Sequence, residues 1–383
     1  MSDAVLSSRH DGRIRLVLLY GGRSAEHEVS CVSARHVLAA CDPGRYRIEV
    51  VGIGTDGRWV EATAIAEALP ATAAAMPEPD GLLAADQCPP MLEPVRALQS
   101  GRYTEGRTLD LTVVWPALHG PMGEDGTVQG LCELADVAYV GAGVTGSAAA
   151  MDKALAKTAF AGAGLPQARW IGVSASVVRD PTGDALTGLV KSVEAELGWP
   201  VYVKPANMGS TIGVSRAADP SELATALELA ARYDDYLLAE EEVRGRELEI
   251  GVLGLDPLLT SVIGEVRPSH DFYDFEDKYT SGTAGLLVPA AVSQDVADEM
   301  ALLAVSACRA VRVEAMARVD FFYDEAGGRL LLNEINTLPG FTPISMYPRL
   351  WAASGVGYGA LVDRLVDLAL RRHQRRAALQ TSR

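Results

Sequence analysis

Apolar runs, helical periodicity and glycine turns alternate along the first 150 residues of the chain. Residues 14–22 predict a strand that ends in a glycine turn, and residues 29–41 predict the helix that follows it. The alternation continues with predicted strands at 47–53 and 109–116 and a predicted helix at about 127–134. Alternating strands and helices are typical of a parallel sheet, so we expect a Rossmann-like domain over residues 1–150.

Two further units follow this domain. Residues 151–237 carry the patterns of a helix at 152–161, a helix at 189–197, a strand at 201–204 and a helix that Ser221 caps and that runs through Arg232. Residues 238–383 are rich in predicted strands and end in a helix at 359–372. A proline- and alanine-rich stretch at about 69–94 predicts a surface insertion in the first domain. We therefore expect an α/β chain of three domains.

Two apolar segments near the C-terminus predict a β-hairpin with polar residues on a buried face. Residues 315–323 and 330–335 flank a turn near Gly327. Because side chains alternate along a strand, a hairpin centred there places Asp320 opposite Glu334. The polar residues that then converge are Arg318, Asp320, Glu334 and Asn336.

These four polar groups suggest a metal site. Buried carboxylates are unfavourable unless a cation compensates them. The carboxylates of Asp320 and Glu334 and the amide oxygen of Asn336 are hard ligands, which suits Mg²⁺ bound together with substrate phosphates. An internal ion pair between Arg318 and one of the carboxylates is the alternative interpretation.

A glycine turn after the first strand opens the first helix and reads GGRSAEHEVS at 21–30. This position binds ligands in α/β sheets, but the dinucleotide fingerprint GxGxxG is absent. Glu26 and Glu28 would repel a pyrophosphate and suit a ligand with an ammonium group. Acidic residues that favour a helix N-terminus are the alternative.

Two more glycine-rich segments carry ionisable groups. HGPMGEDGTVQG at 119–130 follows a predicted strand directly, with His119 at its start. KPANMGSTIG at 204–213 places Lys204 beside small residues whose backbone N–H groups can cradle a phosphate. It is not a Walker loop, because the lysine precedes the glycine. A tight hairpin that needs glycine is the alternative for this second segment.

Acidic and aromatic residues mark two other segments. Glu240 and Glu247 follow an apolar strand at 236–239 and can accept from an adenine amino group or from ribose hydroxyls, although an acidic surface loop has the same pattern. Residues 268–282 are polar and aromatic and include Tyr279. We expect an ordered loop there that covers a site and excludes water.

Composition argues against several classes of function. The chain has 383 residues, 34 of them basic and 50 acidic, with a formal net charge of −16 and a pI of about 4.9. This charge disfavours nucleic acid and anionic membranes as partners. The five cysteines are scattered without a CxxC pair, which argues against a disulfide framework or a zinc site and suits a cytoplasmic protein. A signal peptide and a membrane span of ~20 apolar residues are not expected.

With these residues assembled, the chain resembles the D-alanine–D-alanine ligases of the ATP-grasp superfamily. The resemblance rests on three blocks in order: GGRSAEHEVS, HGPMGEDGTVQG, and the hairpin with the segment after it, which ends in NEINTLPGFTPISMYP. It covers nearly the whole chain apart from the first dozen residues, the insertion and the last few residues. It implies a three-domain ATP-grasp fold with ATP between the second and third domains, two Mg²⁺ or Mn²⁺ ions, and a homodimer.

The resemblance also implies a role for the motif residues. The metal ligands would be Asp320, Glu334 and Asn336. The residues for ATP would be Lys153, Lys204, Ser210, Thr211, Glu240, Glu247 and Lys278. The residues for the two D-alanine molecules would be Glu26, His119, Lys278, Gly340 and Ser345. The catalytic set would be Glu26, His119, Ser210, Tyr279, Arg318 and Gly340.

The implied reaction forms D-alanyl-D-alanine for peptidoglycan precursors through an acyl phosphate. D-lactate or D-serine as the second substrate is an alternative within the family, although Tyr279 with Ser345-Met346 resembles the dipeptide-forming pattern. Glu241 and Glu242 depart from the family, because relatives more often carry uncharged residues there. A nucleotide-binding sensor without ligation is an alternative of another class, which the complete set of metal ligands and Arg318 disfavours.

Overall fold

Three β-sheets form the framework of the chain in the computed structural model, which describes residues 12–61, 93–99, 103–104, 107–108, 111–180, 182–267, 285–342 and 344–380. The expected α/β architecture is confirmed. The expected covering loop at 268–282, with Lys278 and Tyr279, and nearly all of the insertion at 69–94 lie outside the described residues. Among the described helices, none has the length and apolar character to cross a membrane.

The first sheet is the predicted parallel sheet with one antiparallel edge strand. The strands of this part are β1 (Ile14–Gly21), β2 (Tyr46–Ile53), β3 (Trp59–Glu61), β4 (Tyr103–Thr104), β5 (Arg107–Thr108), β6 (Thr112–Pro116) and β7 (Ala138–Tyr139). The helices are α1 (His27–Ala40), α2 (Pro94–Gln99), α3 (Thr127–Leu134) and α4 (Val144–Met151). The order is β3–β2–β1–β6–β7, and β4 pairs with β5. Strand β1 lies in the middle and is buried in all residues except Ile14, which explains its continuous apolar sequence.

The second sheet is antiparallel, in the order β10–β9–β11–β8. Its strands are β8 (Trp170–Ser174), β9 (Val201–Pro205), β10 (Ser215–Ala217) and β11 (Tyr236–Glu241). The helices around it are α5 (Lys153–Gly162), α6 (Asp184–Ser192), which continues into a π-helical turn (Val193–Leu197), and α7 (Pro220–Ala230). A 3₁₀ turn spans Ala175–Val177.

Two details of this part differ from expectation. Ser221 does not cap α7; instead the carboxylate of Asp219 accepts from the backbone N–H groups of Ser221 and Glu222, and Pro220 takes the first helical turn. Strand β11 pairs with β8 and β9 through Glu241, so a domain boundary at 237/238 would cut a strand of the second sheet.

The third sheet is antiparallel, in the order β14–β13–β12–β15–β16. Its strands are β12 (Arg246–Gly254), β13 (Leu259–Arg267), β14 (Gly285–Leu287), β15 (Ala315–Asp324) and β16 (Arg329–Asn336). The last helices are α8 (Gln294–Ala310), α9 (Met346–Ala353) and α10 (Tyr358–Ala377). Phe160 of α5 and Met300 of α8 pack with Ile250 and Val319, so one face of the sheet forms a core with these two helices.

The C-terminal helix returns to the first sheet. Leu361 and Leu365 of α10 share a core with Leu16 and Trp115, and Met316 of β15 joins the same core. Helix α10 is therefore part of the hydrophobic core of the first sheet, which its position in the sequence does not reveal. The same core also joins the first and third sheets directly.

A buried arginine anchors this helix. Arg372 is 2% exposed and donates to the carbonyl oxygens of Gly141 and, at 2.7 Å, of Tyr139. Its guanidinium carbon lies 4.2 Å from the centre of the Tyr139 ring. Two hydrogen bonds and a cation–π contact thus compensate a charge that burial would otherwise make unfavourable.

We expect Arg372→Met to lower the free energy of unfolding by about 2–4 kcal/mol, because two buried carbonyl oxygens lose their donors. Arg371→Met is the matched control, since Arg371 occupies the preceding position of the helix and is exposed. The urea midpoint, followed by circular dichroism, measures both variants. Equal midpoints for the two variants would contradict this role of Arg372.

Candidate active site

The β15–β16 hairpin places the predicted polar residues on one face. Asp320 pairs in register with Glu334, and Arg318 pairs with Asn336. Two nitrogens of Arg318 donate to the carboxylate of Asp320 at 2.8 and 2.6 Å. The Asn336 Nδ2 donates to Asp320 Oδ2 at 2.9 Å, so the amide oxygen is not used in this contact. The predicted juxtaposition of the carboxylates is confirmed, and the alternative ion pair of Arg318 is present as well.

The adjacent strand adds a carboxylate that sequence reasoning missed. Glu249 of β12 lies opposite Asp320, is 7% exposed, and has an oxygen 2.9 Å from the Arg318 Nε. Burial alone would lower the pKa of Arg318, but Asp320 and Glu249 outweigh it and raise that pKa well above its usual value. The alternation of Glu247 and Glu249 along β12 was the available signal.

The donor set of the hairpin fits a hard divalent cation. Asp320 and Glu334 provide carboxylates and Asn336 an amide oxygen, the ligands that Mg²⁺ and Mn²⁺ prefer. Glu334 also lies 3.6 Å from the ammonium group of Lys153. In the part of the chain that the structure describes, no group of three or more His, Cys, Asp or Glu side chains is arranged to hold a metal.

Lysines and a carboxylate form a buried cluster where α5 meets the second sheet. The Lys153 ammonium donates to the carbonyl oxygen of Met208 at 2.7 Å. Lys204 and Lys157 each contact one oxygen of Glu240, which is 3% exposed. Burial would raise the pKa of Glu240, but the two lysines outweigh it and hold that pKa at about 2. Sequence reasoning missed Lys157, although it follows Lys153 by one helical turn on the same face.

The acidic residues after Glu240 have other partners. Glu241 accepts from the Nε of Arg169 at 2.7 Å, and Glu242 accepts from the Nε of Arg216 at 2.7 Å. These two ion pairs include exposed arginines, whereas Glu240 belongs to the buried cluster. The acidic residues at positions 241 and 242 are therefore paired with these arginines, and Glu240 keeps its contacts with Lys157 and Lys204.

Glu26 joins the first glycine turn to the segment between β9 and β10 of the second sheet. It lies directly before α1, is 5% exposed, and accepts a hydrogen bond from the Ser210 hydroxyl. A Cβ added at Gly120 would lie 2.6 Å from Glu26 Oε2, and one at Gly209 would lie 2.9 Å from it. Two glycines, one after β6 of the first sheet and one after β9 of the second, therefore allow two segments to close around one carboxylate.

His119 is held by protein on both sides of its ring. Its Nδ1 lies 3.1 Å from the carbonyl oxygen of Leu338, and its Nε2 lies 2.9 Å from the Ser33 hydroxyl. A carbonyl oxygen only accepts, so Nδ1 donates and Nε2 accepts from Ser33. Burial lowers the pKa of His119, an effect that Glu26 opposes. Ser33 also accepts from the Phe341 N–H at 3.5 Å, so His119 fixes the segment that carries Gly340.

Glu124 is a second buried residue of this region to which sequence reasoning gave no role. Its carboxylate accepts from the backbone N–H of Gly120 at 2.9 Å and of Leu338 at 3.2 Å. Burial, and then the neighbouring Glu26, raise the pKa of Glu124 to about 8. The density of glycine and carboxylate in residues 119–130 was the signal for it. Glu124 ties this segment to the end of the hairpin.

The remaining predicted residues lie around these clusters. Ser345 precedes α9, and its Oγ accepts from the Thr342 N–H at 3.0 Å. A Cβ at Gly340 would lie 2.8 Å from that oxygen. Thr211 follows Ser210 in the left-handed conformation, with φ of +63°. Glu247 lies in β12 opposite Phe322 of β15.

Comparison with known proteins yields one family over nearly the whole chain. The model described as "D-ala D-ala ligase N-terminus" matches residues 15–142, and the one described as "D-ala D-ala ligase C-terminus" matches residues 159–367. The D-alanine–D-alanine ligase of Bacillus pumilus strain SAFR-032 is 42% identical over 372 residues, which cover 97% of this chain and 99% of the relative. That of Synechococcus sp. strain CC9605 is 44% identical over 361 residues, covering 93% and 98%.

Solved structures give the same result. The D-alanine–D-alanine ligase from Coxiella burnetii superposes with a TM-score of 0.76 at 33% identity and covers 95% of this chain and 97% of its own. The VanG D-Ala:D-Ser ligase from Enterococcus faecalis has a TM-score of 0.77 at 29% identity, with coverage of 93% and 99%.

We expect Glu124→Gln to remove a pH dependence of stability. In the folded chain the pKa of Glu124 is about 8, above its ordinary value of 4.5. The folded state therefore binds more protons than the unfolded state between these values, and this contribution to stability is lost as the pH rises. Glutamine does not titrate, so the variant should gain stability relative to wild type from about pH 5 to about pH 8.5.

Urea midpoints of both proteins across that range measure this difference. Glu194→Gln is the matched control, because Glu194 is exposed. A difference between Glu124→Gln and wild type that stays constant with pH would contradict the raised pKa.

Proposed function

The chain belongs to the D-alanine–D-alanine ligase family, and from this premise we propose that the site where its three sheets meet joins two D-alanine molecules as ATP is converted to ADP and phosphate. Its product, D-alanyl-D-alanine, serves the synthesis of peptidoglycan precursors. The observation that carries the proposal is the register of β15 and β16, which sets Arg318, Asp320, Glu334 and Asn336 together, the last of them four residues before Gly340 in the sequence.

The nucleotide would lie between the second and third sheets. Lys153 and Lys204 would contact its phosphates. Lys153 lies 3.6 Å from Glu334 of the proposed cation site, and Lys204 contacts Glu240 in the buried cluster, which supports this assignment. Ser210 and Thr211 would form the turn over the phosphates, and Glu240 and Glu247 would bind the adenine and the ribose. Lys278 and Tyr279 belong to the same proposal by family resemblance.

Asp320, Glu334 and Asn336 would hold Mg²⁺ or Mn²⁺, two ions in all. Bound there, the ions would neutralise phosphate charge during transfer. Asp320 and Glu249 hold the guanidinium of Arg318 in place beside this proposed cation site. A guanidinium held in this way needs little rearrangement when negative charge develops beside it.

Glu26 would bind the ammonium group of the first D-alanine. The carboxylate is buried and its orientation is set by Ser210, so it offers a fixed negative group to a small cationic ligand. His119 would serve this pocket by holding Leu338 and, through Ser33, Phe341. The carboxylate of the second D-alanine would be received by Ser345 and Lys278.

The proposed reaction has two steps. A carboxylate oxygen of the first D-alanine attacks the γ-phosphorus of ATP, the bond to the β-phosphate oxygen breaks, and ADP leaves. The amine of the second D-alanine attacks the acyl carbon of this acyl phosphate, loses a proton, and phosphate leaves with one former carboxylate oxygen. Attack of the amine gives a tetrahedral intermediate, and Arg318 and the Gly340 N–H would stabilise its oxyanion until phosphate leaves. Each good donor contributes ~3–4 kcal/mol.

Water must be kept from the acyl phosphate, and residues 268–282 are proposed to supply that cover.

We also propose a homodimer by family analogy and a cytoplasmic location. The described cysteines Cys31, Cys41, Cys132 and Cys308 are buried thiols.

The direct test of the function is phosphate release with Mg·ATP and D-alanine, with each product identified by mass. We expect phosphate and D-alanyl-D-alanine in equal amounts. Equimolar D-serine or D-lactate added with D-alanine tests the second substrate, and the dipeptide should still dominate. A mixed product in excess would reassign the second-substrate specificity, and nucleotide binding without turnover would overturn ligation.

We expect Glu334→Gln to lower kcat on the order of 10³-fold, because the loss of one carboxylate weakens the cation site. Glu325→Gln is the matched control, since Glu325 lies on the hairpin turn and is exposed. Steady-state phosphate release at several Mg²⁺ concentrations measures both, and circular dichroism checks the fold. Undiminished turnover of a folded Glu334→Gln variant would remove Glu334 from the metal site.

A further inference from the structure

Lys157 is a buried lysine to which the proposed reaction gives no task. It lies on α5, one helical turn after Lys153, and its side chain is 2% exposed. An ammonium group in that position is unfavourable unless a negative group compensates it. The carboxylate of Glu240 does so, through the oxygen that Lys204 does not contact.

Exposure separates the two lysines that share Glu240. The Lys204 side chain is 15% exposed, whereas that of Lys157 is 2% exposed. Lys204 therefore has access to a bound molecule, and Lys157 reaches one only through Glu240. Within the described part of the chain, removing Lys157 would leave Glu240 with Lys204 as its single cationic contact.

The charges of this cluster indicate what Lys157 contributes to it. Lys204 and Glu240 alone would form a neutral pair, and a phosphate would have to compete with Glu240 for the ammonium of Lys204. With Lys157 protonated, the cluster of Lys157, Lys204 and Glu240 carries one net positive charge, and Glu240 keeps a partner when Lys204 turns toward a phosphate. Burial lowers the pKa of Lys157, an effect that Glu240 opposes. Burial would lower the pKa of Lys204, but Glu240 outweighs it and raises that pKa, so this lysine remains a cation.

We propose that Lys157 is a positioning residue for nucleotide recognition, which holds and neutralises Glu240 so that the carboxylate stays in place for an exocyclic purine amine and Lys204 remains available to the phosphates. The inference rests on the proposed function, because the nucleotide contacts of Glu240 and Lys204 are part of it. The ligand class is a nucleoside triphosphate whose base carries an amino group at the position facing Glu240, as ATP does and GTP does not.

Lys157→Met tests the proposal, since methionine fills a similar volume without charge. We expect the KM for ATP to rise at least about tenfold, as for the loss of a charge-assisted contact, and the preference for ATP over GTP to fall by a similar factor. The KM for D-alanine should stay within about twofold of wild type, because that pocket lies elsewhere. Lys191→Met, an exposed lysine of α6, is the matched control and should change neither constant.

A double-mutant cycle with Glu240→Gln separates positioning from a purely structural ion pair. If Lys157 acts through Glu240, adding Lys157→Met to Glu240→Gln should raise the KM for ATP less than about twofold further. The double variant removes both buried charges together, so it keeps the test open if Lys157→Met does not fold. An unchanged KM for ATP in folded Lys157→Met, equal increases in both KM values, or full additivity in the cycle would overturn the proposal.

Calorimetric titration with ATP, in the absence of D-alanine, distinguishes this inference from the proposed function. If the wild-type chain binds ATP but releases no phosphate with D-alanine, ligation fails while the titration still compares wild type with Lys157→Met. An affinity for ATP that falls at least about tenfold in the variant supports the positioning role, and equal affinities contradict it.

Discussion

Compensation of buried carboxylates is the constraint on which this site depends. Glu26, Glu124, Glu240 and Glu249 are all less than a tenth exposed, and the ionised form of each would be strongly unfavourable alone. Glu124 responds with a pKa raised to about 8. Their partners are the Ser210 hydroxyl for Glu26, the backbone N–H groups of Gly120 and Leu338 for Glu124, two lysines for Glu240, and Arg318 for Glu249. The contacts that hold the three sheets together are therefore also contacts that stabilise these buried carboxyl groups.

The segment after the hairpin shows how this constraint shapes the chemistry. Residues 338–341 follow the proposed metal ligands directly and contact residues around the first sheet through three side chains: Glu124, His119 and Ser33. Gly340, the proposed oxyanion donor, thus lies in a segment held by the part of the chain that also carries Glu26. A donor placed in advance of the reaction stabilises developing charge without having to reorganise. The residue proposed to bind the first substrate and the residues that hold the proposed oxyanion donor therefore belong to the same part of the chain.

Local pattern predicted the elements and the hairpin well, for a physical reason. Alternation along β15 and β16 sets which residues share a face, and the turn near Gly327 sets the register, so the opposition of Asp320 and Glu334 follows from sequence. The partners that sequence missed come from distant elements. Glu249 reaches Arg318 across a neighbouring strand, and Lys157 reaches Glu240 from a helix, neither of which local periodicity encodes. Helix α10 likewise packs on the first sheet, more than 300 residues from β1.

The central claim is that a D-alanine carboxylate is activated as an acyl phosphate in this site, and isotope transfer tests it most directly. D-alanine labelled with oxygen-18 in its carboxylate is incubated with the chain, Mg²⁺ and unlabelled ATP, and the released phosphate is examined by mass spectrometry. The account predicts one oxygen-18 atom in each phosphate formed with the dipeptide, since that oxygen leaves with the phosphate when the amine attacks. Phosphate without label, formed at the same rate as the dipeptide, would contradict the account.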